Sequence, residues 1–197
     1  RAQAEGLMAG GVLPVIKHMP GHGRAFADSH KDLPVVETPL AELAAWDFPP
    51  FRALSDMPIA MTAHVVFTAI DPKRPATVSR KAVRLMRRGL GFGGLILTDD
   101  LSMQALSGTL AERAAGALKA GCDIALHCNG DRAEMTQIAG VVGALKGQAK
   151  RRADAASGRL VREVEPLDER EARARFAAML AGRLEAKRGP DVGEAQA

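Results

Sequence analysis

The sequence predicts an α/β fold built on a parallel sheet. Four short apolar segments recur along the chain, at residues 12–17, 58–63, 94–98 and 122–126. Each is followed by a stretch with helical periodicity, and ionisable residues gather where the segments end. Strands that alternate with helices are typical of parallel sheets, because the crossover helices cover the faces of the sheet.

The first two helical segments flank the first strand. Residues 2–9 are typical of the end of a helix. Thr38 can cap a helix that opens with Pro39, since proline is tolerated at the first helical position. We expect this helix to break at residues 49–50, which are both proline, and to continue over residues 51–54.

Clearer capping signals define the later helices. Ser79 can cap a helix over residues 80–90. Thr109 and Glu112 have the spacing of a capping box, and Gly121 is placed to end the helix that follows them.

The C-terminal part of the chain changes in character. Asp131 should begin a helix that reaches about Lys146. Residues 149–188 are rich in Ala, Arg and Glu and predict two helices packed on an α/β domain at residues 1–148. Residues 189–197 are small and polar, which predicts a disordered tail.

Composition excludes several classes of function. The chain has 197 residues, of which 47% are hydrophobic, so it can bury a core. The net charge of +4 is mildly basic, but the chain has no Tyr and one Trp, which argues against a base-stacking nucleic-acid surface. No apolar run reaches the roughly 18 residues of a membrane span. Cys122 and Cys128 are too few for a disulfide framework and favour a reducing compartment.

The most informative motif follows the first strand. Residues 17–30 read K-H-M-P-G-H-G-R-A-F-A-D-S-H and include one Lys, three His, one Asp and two Gly. Ionisable residues just past the carboxyl end of a buried strand are where α/β enzymes place their chemistry. The sequence therefore predicts an active site at this edge of the sheet.

This motif resembles K-H-(F/M)-P-G-H-G-x(4)-D-S-H, a signature of the β-N-acetylhexosaminidases of glycoside hydrolase family 3. The resemblance is to the bacterial enzymes that recycle cell-wall sugars. Three further blocks agree in order and spacing: P-I-A-M-T-A-H-V at 58–65, G-F-G-G-L-I-L-T-D-D-L-S-M at 91–103 and G-C-D-I-A-L-H-C-N at 121–129. The resemblance covers residues 1–145.

The resemblance implies that the chain is the C-terminal half of a (β/α)8 barrel of the TIM type, with extra C-terminal helices. Residues 1–148 would then be a partial catalytic barrel. Family members have a substantial stretch before the first block, whereas sixteen residues precede Lys17 here. A complete barrel takes about 250 residues, so we expect a fragment of a longer protein.

The resemblance also implies three catalytic residues. Asp99 would be the nucleophile that forms a glycosyl-enzyme intermediate, with Asp100 as its neighbouring rival. His30 would be the acid/base and Asp28 would orient it. This role suits an imidazole, which titrates near neutral pH and can give and later retrieve a proton. The alternative for Asp28 is an Asx turn in a solvated loop.

Substrate-binding residues are expected at the same edge. In the family, the pair that corresponds to Lys17 and His18 binds hydroxyl groups of the terminal sugar; the alternative for Lys17 is a side chain that reaches from the rim into solvent. His64 ends the second strand and is assigned to the same group. We expect no metal, because Pro20 and the neighbouring glycines prevent the helix that an i, i+4 pair of His18 and His22 would need.

The expected function is therefore a retaining exo-β-N-acetylglucosaminidase that acts on muropeptide-type substrates in peptidoglycan recycling. The expected partner is a carbohydrate of the N-acetylglucosaminyl-anhydromuramyl type, with no cofactor, nucleic acid or membrane, in the cytoplasm. Two alternatives stay open. One is a family 3 glycosidase or phosphorylase of other sugar specificity, and the other is a non-catalytic truncated barrel fragment.

Overall fold

The structure is a computed structural model that describes residues 1–26, 32–161, 163–164 and 166–182. It forms two compact units, Arg1–Arg162 and Glu163–Ala197. The first unit contains every strand among the described residues, and the described part of the second contains one helix.

The strands of the first unit form two parallel sheets. In chain order they are β1 (Val15–Met19), β2 (Val35–Val36), β3 (Ile59–Thr62), β4 (Val66–Phe67), β5 (Leu95–Asp100) and β6 (Ile124–Leu126). The larger sheet has the order β1-β3-β5-β6, and β2 pairs with β4. All of these pairings are parallel, which confirms the predicted α/β class. The Lys17–His18 and Met19–Pro20 peptide bonds are cis.

The helices alternate with the strands of the larger sheet, as the sequence pattern predicts. In chain order they are α1 (Ala2–Ala9), α2 (Leu40–Glu42), α3 (Pro49–Ala53), α4 (Arg80–Arg84), α5 (Leu110–Ala120), α6 (Arg132–Val142), α7 (Gly147–Ser157) and α8 (Glu169–Leu180). A π-helical turn extends α2 over Leu43–Asp47, and another extends α4 over Leu85–Gly89.

The caps predicted at Ser79 and Thr109 are confirmed, but the cap predicted at Thr38 is wrong: α2 begins at Leu40 after Pro39, and no side chain caps that helix. The Ser79 hydroxyl accepts a hydrogen bond from the Ala82 N–H at the start of α4. Thr109 and Glu112 form the reciprocal bonds of a capping box at α5, and Gly121 ends that helix in the left-handed conformation.

Several predicted boundaries are wrong. The strand expected over 122–126 begins at Ile124, because the Cys122 N–H bonds back to the Ala117 carbonyl of α5, and the strand expected over 94–98 extends to Asp100. The first strand begins at Val15 and not at residue 12, because the Val12 N–H bonds back to the Leu7 carbonyl of α1 and completes the turn that ends that helix. The helix expected to reach Lys146 ends at Val142, where Gly143 has a φ of 64° that an α-helix cannot contain. The β2–β4 pair was not predicted.

The main core lies between the larger sheet and its helices. Its largest fully buried side chains include those of Phe48, Phe92, Met57, Met86 and Ile96. A smaller cluster of Leu101, Leu106, Ala114 and Ile138 packs beneath the segment that follows β5. In β1 the buried Ile16 and Met19 are separated by the exposed Lys17, whereas β5 buries the successive residues Leu95 and Ile96.

A buried ion network holds the amino-terminal end of the sheet. The Asp123 carboxylate accepts hydrogen bonds from Arg87 at 2.5 Å, Arg152 at 2.8 Å and the Ile96 N–H at 2.9 Å. Since Arg152 belongs to α7, the network ties that helix to β5 within the first unit.

The domain limits predicted from the sequence are not settled by these units. α7 belongs to the first unit and α8 to the second. The packing of the helices in 149–188 on the α/β domain stays a prediction, and the expected tail at 189–197 lies outside the described residues. Among the helices that are described, none is both long and apolar enough to cross a membrane.

Candidate active site

The described candidate residues gather at the carboxyl end of the larger sheet. Lys17 and His18 lie in β1, His64 follows β3, and Asp99 and Asp100 end β5. Because β1, β3 and β5 are adjacent parallel strands, their carboxyl ends meet at one edge. This is the edge where the sequence predicted an active site.

Asp99 has a carboxylate that is only partly engaged. Its side chain is 15% exposed, and its Oδ2 lies 3.5 Å from the Nε2 of His18. Its Oδ1 accepts a hydrogen bond of 2.9 Å from the N–H of Asp100. A carboxylate can accept about four hydrogen bonds, so Asp99 keeps acceptor capacity at the surface of the site.

His18 faces Asp99 as a neutral imidazole near neutral pH. Burial lowers the pKa of His18, and the nearby Lys17 ammonium acts in the same direction, while the negative charge of Asp99 partly opposes them. The His18 ring also meets the His22 ring edge-on at 5.5 Å. Lys17 is exposed, so its ammonium can meet a ligand from solvent. The structure thus places the His18 ring beside the Asp99 carboxylate.

Asp100, the rival nucleophile, has a carboxylate that the protein already occupies. Its Oδ1 accepts from the N–H groups of Ser102 and Cys128 at 3.1 and 3.2 Å, and its Oδ2 accepts from the Ser102 hydroxyl at 2.6 Å. Burial would raise the pKa of Asp100, but these hydrogen bonds outweigh it and the net pKa is lowered. The carboxylate therefore joins the segments after β5 and β6.

His64 is not placed to bind substrate, which corrects the sequence prediction. Its side chain is fully buried. Its Nδ1 lies 2.7 Å from the Thr77 hydroxyl, and its Nε2 lies 2.9 Å from the Asp100 carbonyl oxygen. Both ring nitrogens are occupied by protein groups, so neither is available to a sugar hydroxyl.

The predicted acid/base pair, Asp28 and His30, lies outside the described residues. The chain just before it is anchored: the Arg24 guanidinium contacts Asp47 at 2.8 Å and Glu42 at 2.8 Å. Just after it, β2 pairs with β4. The assignment of Asp28 and His30 stays a prediction.

A second histidine–carboxylate pair lies beyond β6. His127 Nε2 is 2.5 Å from the Glu134 carboxylate, and its buried Nδ1 has no hydrogen-bond partner among the described residues. Asn129 also donates to Glu134 at 3.3 Å. The His127 side chain is 6% exposed and that of Glu134 is 34% exposed, so the imidazole is shielded from solvent while the carboxylate partly reaches it.

Sequence reasoning missed the role of Ser102. Its hydroxyl and N–H both bind Asp100, two positions earlier. The D-x-S spacing is the signal of an Asx turn and could have identified this contact. The Cys128 N–H could not be found in this way, since it comes from a different strand end.

Neither cysteine forms a disulfide, and no metal centre is present among the described residues. Cys122 and Cys128 are free thiols, and burial raises the pKa of Cys122 to about 12. In the ranges that the structure covers, no group of three or more His, Cys, Asp and Glu side chains is arranged to hold a metal ion.

Known sequences resemble this chain over most of its length. Residues 1–162 match the glycosyl hydrolase family 3 N terminal domain. A beta-hexosaminidase of Bordetella parapertussis is 43% identical over 134 residues, which cover 66% of this chain and 38% of that protein. A beta-hexosaminidase of Methylobacillus flagellatus is 43% identical over 129 residues, covering 64% and 37%.

Solved structures resemble it as well. NagZ from Neisseria gonorrhoeae, in complex with N-trifluoroacetyl-D-glucosamine, matches with a TM-score of 0.76 and 35% identity over 91% of this chain and 54% of that one. The same Neisseria protein in complex with zinc ion matches with a TM-score of 0.73 and 34% identity, over 91% and 53%. The chain spans about two fifths of the length of the curated relatives it matches.

Proposed function

Because the chain belongs to glycosyl hydrolase family 3, we propose that it is the catalytic part of a retaining exo-β-N-acetylglucosaminidase. The relatives named above are beta-hexosaminidases, and the Neisseria protein was solved with an N-acylated glucosamine. The observation that carries the proposal is the contrast between two adjacent carboxylates. Asp99 has free acceptor capacity beside His18, whereas Asp100 is occupied by three hydrogen bonds from Ser102 and Cys128.

In the proposed first step, a carboxylate oxygen of Asp99 attacks the anomeric carbon of the terminal sugar. The new C–O bond to Asp99 forms as the bond to the leaving oxygen breaks. His30, oriented by Asp28, gives that oxygen its proton. In the second step water attacks the same carbon, His30 takes the proton of the water, and Asp99 is released. Two inversions at one carbon give net retention.

Lys17 and His18 are proposed to hold the terminal sugar. An ammonium can donate three hydrogen bonds, and a neutral imidazole can both donate and accept, which suits hydroxyl groups. The position of His18 beside Asp99 supports this role, because a sugar bound there has its anomeric region next to the nucleophile. In the proposed mechanism Asp99 and His30 carry out the chemistry, Lys17 and His18 hold the sugar, and no metal is used.

The proposed architecture is half of a (β/α)8 barrel. β1 and β6 each have a strand neighbour on one side only in the described part of the sheet. The chain also covers 54% of the Neisseria structure and 38% of the Bordetella protein. The remaining half would close the sheet and complete the sugar site. We further propose a cytoplasmic enzyme that acts on muropeptide-type substrates in peptidoglycan recycling.

The test is a turnover assay on the full-length protein with a chromogenic β-N-acetylglucosaminide and the matching β-glucoside. We expect hydrolysis of the first and little of the second, together with release of N-acetylglucosamine from N-acetylglucosaminyl-anhydromuramyl fragments. Faster turnover of the β-glucoside would contradict the proposed specificity. Sugar 1-phosphate formed in phosphate buffer would identify a phosphorylase instead.

A further inference from the structure

We propose that His64 is a positioning residue that keeps the Asp99 carboxylate aimed at the anomeric carbon. It acts through the backbone of Asp100. This inference rests on the proposed function, in which Asp99 is the nucleophile. The role differs from substrate binding because both ring nitrogens of His64 contact protein groups.

The direction of each hydrogen bond around His64 follows from chemistry. The Asp100 carbonyl oxygen can only accept, so the Nε2 at 2.9 Å must donate. Burial lowers the pKa of His64 and favours the neutral ring, which has a single N–H. Nδ1 is therefore the acceptor, and the Thr77 hydroxyl at 2.7 Å must donate to it.

The donor chain extends one residue further into the core. The Thr77 oxygen lies 2.8 Å from the Thr62 hydroxyl, which can donate to it once the Thr77 proton is used on His64. Thr62, His64 and Thr77 are all fully buried. Buried polar groups of this kind are costly unless they are bonded, so with a neutral His64 ring the hydroxyl and ring protons are directed along the chain from Thr62 to Asp100.

Asp100 transmits this order to Asp99. Its carbonyl is held by His64, its carboxylate by Ser102 and Cys128, and its N–H donates to the Asp99 Oδ1 at 2.9 Å. The N–H that orients the Asp99 carboxylate therefore belongs to Asp100, whose carbonyl and carboxylate are held by other hydrogen bonds. Loss of the His64 contact would free the Asp100 carbonyl and loosen the backbone at Asp100, including the preceding peptide unit, whose N–H aims Asp99.

Two substitutions separate positioning from bulk stability. In His64→Gln, the amide nitrogen can take the place of Nε2 and still donate to the Asp100 carbonyl. The Thr77 hydroxyl then has a second acceptor in the Ala63 carbonyl at 3.1 Å. In His64→Asn, the shorter side chain reaches only Thr77, so the Asp100 carbonyl loses its donor.

The experiment uses the full-length enzyme, a chromogenic β-N-acetylglucosaminide and a slow fluorosugar that traps the glycosyl-enzyme. For His64→Asn we expect kcat and the labelling rate to fall together by about 10- to 100-fold, the loss expected from a small misplacement of a reacting group, with little change in KM. His64→Gln should recover most of both rates. Thr77→Val, which removes the donor to Nδ1, should lower kcat in the same direction by less.

Ser79→Ala is the matched control, because Ser79 is also fully buried but its hydroxyl bonds the Ala82 N–H of α4 and the Asp71 carboxylate, outside the chain from Thr62 to Asp100. It should lower Tm and leave kcat unchanged. Wild-type kcat and labelling in His64→Asn, or equal losses in His64→Gln and His64→Asn, would overturn the positioning role. If neither His64 variant folds, unchanged kcat in Thr77→Val would overturn it. A full-length wild type with no hydrolysis and no labelling would overturn the proposed function itself.

Discussion

The two ends of the larger sheet each hold an aspartate, in opposite surroundings. At the amino-terminal end, Asp123 is 3% exposed and meets two guanidinium groups and a backbone N–H. At the carboxyl end, Asp99 is 15% exposed and meets one backbone N–H and His18 at 3.5 Å. The Asp123 carboxylate, which has three hydrogen-bond donors around it, binds α7 to the sheet. The Asp99 carboxylate has fewer donors and keeps lone pairs for a ligand or a reacting carbon.

The largest expected effect comes from removing the Asp99 carboxylate. In the full-length enzyme, Asp99→Asn should lower kcat by at least about 1,000-fold, because an amide cannot form the glycosyl-enzyme ester. Peptide mapping after reaction with the trapping fluorosugar should find the label on Asp99 in the wild type.

Asp100→Asn is the matched control at the neighbouring position. It should lower Tm by weakening the contacts to Ser102 and Cys128, with a loss of about tenfold or less in kcat. A label on Asp100 would reverse the two assignments. An active enzyme that never forms an adduct would contradict the covalent mechanism.

The second prediction concerns the buried carboxylate of Asp123. Asp123→Ala should lower the free energy of unfolding by about 3–5 kcal/mol, because it leaves the guanidinium groups of Arg87 and Arg152 without their buried partner. Urea denaturation of the full-length protein measures this loss. The control is Asp154→Ala, which breaks an exposed pair with Lys150 and should cost less than about 1 kcal/mol. Similar losses in both variants would show that burial does not distinguish the two pairs.

The third prediction concerns His30, the expected proton donor. His30→Ala should lower kcat by about 100-fold on a sugar leaving group and much less on a nitrophenyl group, which needs little proton donation. Asp28→Asn should lower activity and keep Tm unchanged. Rates on the two kinds of substrate measure the difference, and equal losses on both would argue against His30 as the acid.

The smallest expected effect is a dependence of the free energy of unfolding on pH, which arises from His64 and His18 at the carboxyl end of the larger sheet. Burial lowers the pKa of His64, although the Asp100 carbonyl and the charges of Asp99 and Asp100 oppose it and Arg113 adds to it. Because the unfolded chain binds this proton more readily, the contribution of His64 is present above the ordinary histidine pKa of about 6.5 and is lost as pH falls below it. Burial lowers the pKa of His18 in the same direction.

The unfolding free energy should therefore fall between pH 7.5 and pH 5.5, two values chosen at about one unit on either side of the ordinary histidine pKa. Denaturant titrations of the wild type and of His64→Gln at both values measure the slope. His64→Gln should show the smaller fall. An identical fall in both proteins would assign the dependence to other groups.

Much of the fold could be predicted from the sequence, because the signals are short-range. The caps at Ser79 and Thr109 join residues three positions apart, so their spacing alone identifies them. The family resemblance rests on contiguous blocks and is confirmed by the match over residues 1–162. The boundaries at Val15 and Val142 were missed because turn geometry, more than apolar pattern, decides where those elements begin and end.

The sequence by itself determined the order of the four strands of the larger sheet and of the helices between them, the family and the identity of the polar residues at the strand ends. Only the tertiary structure decided which of those residues are available for chemistry. His64 meets a carbonyl 36 positions away, Asp100 meets an N–H 28 positions away, and Asp123 meets Arg87 across 36 positions. The availability of a polar group depends on how many partners surround it, and in a parallel sheet those partners come from neighbouring strands and helices that are far apart along the chain.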